Sequence, residues 1–140
     1  PNPATRGAKH HDHLLRSLIH RARTGGAGEG FLWVSAWKVQ PGRDVQWREV
    51  WDRYVKPIYD DLLASGTISM YQLAAEHAHT EDPDLRYVIY LAPSVASVEQ
   101  VAAAFATLSQ DRAIAAALAE VNVPGTHRDL FARVLHFAQK

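Results

Sequence analysis

Apolar positions along the chain fall into blocks with two different periods. From Phe31 to Val39 the residues are aromatic, β-branched or small and apolar, with Phe31, Trp33, Trp37 and Val39 on one side and Leu32, Val34 and Ala36 on the other. Alternation of that kind describes a strand with two apolar faces. Pro41 and Gly42 then turn the chain, and the period changes: Trp47, Val50, Trp51, Tyr54, Val55, Ile58 and Leu62 recur at helical spacing. Asp44 is the expected N-cap of this helix and Gly66 its end. Pro57 lies inside the stripe and removes a backbone donor, which predicts a kink or a break into two segments.

Residues 67–79 and 85–92 read as two strands of an antiparallel hairpin, joined by the turn-rich segment 80–84. Ser97 and Gln100 have the spacing of a capping box, and Val98, Val101, Ala102, Phe105 and Leu108 then mark one face of a second helix. The Ala-rich stretch 111–120 predicts a further short helical segment ended before Pro124 and Gly125. Residues 129–138 fit a last strand, with a C-terminal helix as the rival reading. At the other end, His11, Leu14, Leu15, Leu18 and Ile19 recur at three and four, and Asp12 precedes Arg16 by one helical turn. An amphipathic helix over 9–23 is expected, followed by a Gly-rich hinge over 24–30.

The chain therefore divides into an N-terminal helical arm with its hinge, 1–30, and a domain, 31–140, whose elements run βαββαβ. That order predicts an α+β, ferredoxin-like domain: a four-stranded antiparallel sheet with helices packed on one face and an extra N-terminal helix. Two helices cover only one face of such a sheet, yet the strands at 31–39 and 86–92 are apolar on both. A second copy of the chain, laid sheet to sheet in a homodimeric barrel, is the expected cover. The N-terminal helix is the alternative.

Composition narrows the partners more than the chemistry. With 140 residues, 47% of them apolar, the chain has the size and core of one domain. Fifteen Lys and Arg balance fifteen Asp and Glu, so no net field draws it to nucleic acid or to a membrane surface. The charge is nevertheless uneven. Arg6, Lys9, Arg16, Arg21 and Arg23 against Asp12 and Glu29 give the first 30 residues +3, leaving −3 for the rest, so arm and domain attract each other. Cysteine is absent, which excludes disulfides, thiolate metal sites and a cysteine nucleophile. No apolar run reaches the roughly 18–20 residues of a membrane helix, and a soluble protein is expected. Because the first residue is Pro1, a processed or trimmed chain is expected, and both a cytoplasmic location and export after removal of a signal peptide stay open.

The run Trp33-Val-Ser-Ala-Trp37-Lys-Val-Gln-Pro-Gly42, with the long aromatic helix after it, resembles the dimeric α/β barrel superfamily of Dabb and ABM type. The resemblance spans residues 31–140. His77-Ala-His79-Thr80, Arg86-Tyr-Val-Ile-Tyr90 and Pro124-Gly-Thr-His127-Arg128-Asp129 look like bacterial members of that group. It implies a homodimer, and its known members include cofactor-free monooxygenases, polyketide cyclases, lactone isomerases, haem-degrading enzymes and stress-responsive proteins. The fold does not select among them.

Several residues are candidates for chemistry. His77 and His79 are two apart on an expected strand and so point to one side, a spacing that can chelate a divalent metal with His127 or His136 as a third ligand. The competing reading places both at an exposed strand end. His10, His11 and His13 form a histidine-rich tract, but on a helix they diverge, and a solvated docking helix is the favoured account. Trp33, Trp37, Trp51, Tyr54 and Tyr71, with Trp47 and Tyr90, supply enough aromatic surface to line a pocket for a flat apolar molecule, while the same spacing also suits plain core packing. His77, His79, His127 or Tyr90 at its mouth would serve as acid or base on an enolisable substrate. Asp129 either orients His127 or pairs with Arg128, the second anchoring the last strand. No phosphate loop, nucleophile elbow, paired-carboxylate motif or HExxH helix is present. The expectation is a homodimer that binds a small apolar or aromatic molecule and needs no cofactor. The alternatives are a cofactor-independent monooxygenase, isomerase or cyclase, and a protein that binds a divalent metal or haem through histidine.

Overall fold

A computed structural model describes residues 13–25, 29–77 and 82–135. Five strands, β1 (Leu15–Ala22), β2 (Gly30–Lys38), β3 (Met70–Glu76), β4 (Leu85–Ala92) and β5 (Arg128–Val134), pair antiparallel in the order β1-β3-β4-β2-β5. The last four reproduce the expected ferredoxin-like βαββαβ sheet. The helices α1 (Asp44–Val50), α2 (Lys56–Ser65), α3 (Val95–Gln110) and α4 (Arg112–Val121) lie between β2 and β3 and between β4 and β5.

The N-terminal segment corrects the expectation of a helix over 9–23. Residues 15–22 are a fifth strand, added to the edge of β3. Its register shifts between Ser17 and Ile19, so Leu18 is the additional residue of a bulge. A bulge breaks the period of two and leaves apolar residues three and four apart, which is why the stretch imitated a helix. The edge of β3, whose residues are mostly buried on both faces, gains a full ladder of hydrogen bonds from this strand. His10, His11, His79 and His136 lie outside the described residues, as does residues 26–28 of the expected hinge.

Pro57 acts as predicted, through a specific device. A π-helical turn over Trp51–Val55 separates α1 from α2, with the Lys56 N–H donating to the Trp51 carbonyl five residues back. Pro57 stands in the first turn of α2, where its missing N–H is tolerated. The wide turn also sets which side chains face the sheet: Trp47, Trp51, Val55, Tyr59 and Leu62 are all buried. Four-residue steps drift away from one face of a regular helix at 3.6 residues per turn, and a π turn takes up the drift. α2 closes at Gly66, whose φ of +83° is the left-handed C-cap geometry.

Two caps differ from expectation. Asp44 is the first residue of α1 rather than its cap, and its carboxylate pairs instead with the Arg86 guanidinium on β4. α3 is capped by Ser94, whose Oγ accepts from the Ser97 N–H at 3.1 Å, and Gln100 accepts from Thr67 instead of closing a capping box. Asp111 caps α4 with two backbone N–H donors.

The core lies between the sheet and the helices. Tyr71, Leu73, Val88 and Ala92 reach up from the strands to Trp51, Val55, Tyr59 and Val101. The other face of the sheet carries Leu32, Val34, Ile89 and Leu130 in register across β4, β2 and β5; the first three are half-buried and Leu130 is exposed.

Candidate functional site

The core is not filled to its end. Between β2, β4 and the start of β5 on one side, and α2, α3 and α4 on the other, an open cavity of about 620 Å³ remains. Alternation along β2 sends Trp33, Ser35 and Trp37 into it, and their partner Tyr90 on β4 faces Trp33 with stacked rings 6.3 Å apart. Val101, Phe105 and Leu108 of α3 and Leu118 of α4 form the opposite wall. Tyr59 is the inner wall, held by Phe105 at 5.0 Å and Tyr71 at 5.2 Å between ring centres.

Polar groups gather at one end. Asp129, directly opposite Ser35 across the β2–β5 ladder, receives two donors on a single carboxylate oxygen, Ser35 Oγ at 2.6 Å and Trp33 Nε1 at 3.1 Å, and His127 Nε2 lies 3.1 Å from the same oxygen. His127 is exposed and stands edge-on to Trp37 at 5.8 Å. The loop that carries it is fixed to the end of β2. Val123 N–H donates to the Lys38 carbonyl, Lys38 N–H to Thr126 Oγ1, and Trp47 Nε1 to Asn122 Oδ1. Gly125, at φ +73°, makes the turn that a side chain would strain. Arg128 donates to the Gly125 and His127 carbonyls, so of the two pairings the sequence left open for Asp129, the structure has the one with His127 and not the favoured bridge to Arg128.

Both tyrosines of the cavity hold their protons firmly. Burial, with the charge of Asp129 added, pushes the Tyr90 hydroxyl up to about 12. Burial first, then Tyr90 and Asp129, raises Tyr59 further still. The Trp37 indole N–H is buried without a partner among the described residues.

Of the residues singled out in the sequence, Trp33, Trp37, Tyr90 and His127 meet in this cavity. Trp51 lies behind the wall, stacked between Trp47 and Tyr59, and Tyr71 lies beneath, with its hydroxyl donating to Asp60. Tyr54 is half-buried with Arg53 over its ring and is not among the cavity's wall residues. His77 is exposed just past the end of β3, on the side of the molecule where Leu14 accepts its N–H. No group of three potential metal ligands occurs among the described residues. Sequence reasoning overlooked Ser35 and Tyr59. A hydroxyl between two tryptophans on the same strand face was the available signal for Ser35. Tyr59 was hidden because the π turn shifts the buried face.

No protein-family model matches the chain, and no curated protein matches it. Solved structures do. A Caulobacter crescentus protein provisionally named an antibiotic biosynthesis monooxygenase superposes with TM-score 0.54 and 18% identity, covering 77% of this chain and 92% of that one. A Listeria monocytogenes ferredoxin-fold protein related to antibiotic biosynthesis monooxygenases gives 0.58 at 11% identity, over 91% of this chain and 68% of the other. An anthrone oxidase-like protein gives 0.60 at 12% identity, over 89% and 55%. The chain has the ABM-type ferredoxin-like fold. At these identities the likeness speaks for the fold, and the activities of those proteins remain theirs.

Proposed function

We propose that this protein binds a small, flat, largely apolar molecule in the cavity between sheet and helices. The cavity itself carries the reading: about 620 Å³ lies within the usual 300–1,000 Å³ of small-molecule sites, and aromatic walls with polar groups gathered at one end are their usual lining. Binding is tested by tryptophan fluorescence during titration with 1-naphthol, since Trp33 and Trp37 are wall residues. Saturable quenching is expected, and Ala102→Trp, at an exposed wall position on α3, should abolish it while leaving the fold intact. Absence of saturation in the parent protein refutes the reading.

A second reading, a cofactor-independent monooxygenase, isomerase or cyclase, is favoured by one observation. The Asp129 carboxylate lies 3.1 Å from His127 Nε2, and a neutral imidazole with its proton on that nitrogen would leave Nδ1 to take a proton from an enolisable or phenolic ligand at the cavity opening. Oxygen uptake with an anthrone, lost in His127→Ala, is the test, and no uptake above buffer removes it. Haem is a weaker fit. A heme-degrading enzyme from Listeria monocytogenes superposes at TM-score 0.50, but among the described residues this cavity offers one imidazole, 3.1 Å from Asp129, and no Lys or Arg in its wall for the propionates. The apolar outer face of the sheet is taken to pair with a second copy of the chain.

A further inference from the structure

Within the cavity, two hydroxyls are uncommitted. Tyr59 and Tyr90 both form part of its wall, and neither phenol oxygen has a hydrogen-bond partner among the described residues. They are not sealed in the core either: among the described residues the buried polar side-chain atoms without partners are the indole nitrogens of Trp37 and Trp51, so the tyrosine oxygens open onto the cavity. The two rings are 6.2 Å apart, and each hydroxyl is close enough for the charge of Asp129 to act on it. Tyr71 and Tyr87, by contrast, both donate to carboxylates, Asp60 and Glu76, at 2.6 Å. A phenol that opens onto a cavity with no protein partner is free to donate to whatever fills it, which sets these two apart from Tyr71 and Tyr87.

We infer that the hydroxyls of Tyr59 and Tyr90 form a paired donor site for a neutral carbonyl oxygen of the bound molecule, which makes the ligand class a flat aromatic ketone. This rests on the cavity being a binding site. Three observations fix the class. The walls are aromatic and aliphatic, so the body of the ligand is apolar. The hydroxyls keep their protons at neutral pH and therefore donate, which calls for an acceptor. The Asp129 carboxylate faces the same space, and among the described residues no Lys or Arg belongs to the wall, so an anionic acceptor such as a carboxylate is disfavoured. Trp33 stacked on Tyr90 supplies a plane against which a ring ketone would lie.

The test compares three probes of one ring system: fluorene, 9-fluorenone and fluorene-9-carboxylate. Affinities are read from tryptophan quenching in the parent protein, in Tyr59→Phe, in Tyr90→Phe and in the double variant. Two neutral hydrogen bonds predict that the preference for fluorenone over fluorene falls about tenfold in the double variant, with fluorene affinity little changed. The carboxylate should bind more weakly than fluorenone throughout. The carbonyl stretch of bound fluorenone should lie at lower frequency in the parent protein than in the double variant, a signature that loss of packing does not produce. Equal binding of fluorene and fluorenone, or a preference untouched by the double variant, overturns the donor pair while leaving the cavity as a binding site. Failure of all three probes to bind overturns both.

Discussion

Tyr71→Phe isolates one polar anchor beneath the cavity. Tyr71 is fully buried in β3; its hydroxyl donates to Asp60 Oδ1 at 2.6 Å, and its ring stacks on Tyr59 at 5.2 Å. Removing only the oxygen keeps the stack and deletes one hydrogen bond to a carboxylate. Such bonds contribute about 1.5–3 kcal/mol. Asp60 keeps Lys56 at 2.5 Å and Arg21 at 3.3 Å and is about a quarter exposed, so the lower part of that range applies, about 2 kcal/mol. For a chain of this size that lowers Tm by roughly 6–8 °C. The effect carries a pH signature. Burial alone would raise Asp60, but the Lys56 and Tyr71 hydrogen bonds, with the charges of Lys56 and Arg21, outweigh it and hold the carboxyl below its ordinary value. Since the folded value lies below the unfolded one, about 3.9, the linked stability is present above the unfolded value and is lost as pH falls through the folded one. The gap between parent and Tyr71→Phe should thus be full at pH 7 and narrow below about pH 4, as the hydroxyl comes to face a neutral acid. Urea unfolding at pH 7 and pH 3 measures both. A gap of the same size at the two pH values refutes the assignment of the loss to the charged hydrogen bond.

Three further outcomes follow from the geometry. Gly30→Ala would drive a methyl group into the Ala92 carbonyl oxygen at a φ of +153°, and should lower stability to urea by about 2 kcal/mol or more; a loss under 0.5 kcal/mol would show that β2 shifts freely there. Ser94→Ala should cost about 1 kcal/mol by removing the α3 cap, whereas Gln100→Ala should stay within about 0.5 kcal/mol, and the reverse order would restore the capping box that the spacing suggested. Sedimentation at micromolar concentration should give a homodimer that Leu130→Lys or Val34→Lys dissociates; a stable, folded monomer of the parent chain would refute pairing through the outer sheet face.

The sheet was legible from the sequence where burial dictated period, and illegible where the chain departed from period. Strands at Phe31, Met70 and Leu85 read as short, largely apolar runs because both faces pack, whereas β5, exposed along most of its length, was legible from its apolar residues and from the turn before it. The N-terminal strand escaped recognition because the bulge at Leu18 gives helical spacing to residues that pair in a ladder. Nothing local distinguishes the two; what decides is the edge of β3, a property of residues about fifty to sixty positions away. The same holds for the caps. Ser97 and Gln100 have the right spacing, but Ser94 stands where the chain leaves β4, and the helix begins there.

For the site the division is sharper. Trp33, Trp37, Tyr90 and His127 could be named because strand alternation and a Pro-Gly turn place them whatever the rest of the fold does. What makes them a site is long-range. Ser35 and Asp129 are 94 residues apart and meet only because β5 returns to pair with β2, and Trp33, Ser35 and His127 then converge on the same oxygen. Tyr59 enters the cavity because Pro57 forces a wide turn just before it, which redirects the helix face by one position. A single proline therefore links helix geometry to the composition of the cavity wall. The polar end and the inner wall of the cavity are set by strand register and by helix pitch, two quantities that residue types constrain only after the fold has closed around them.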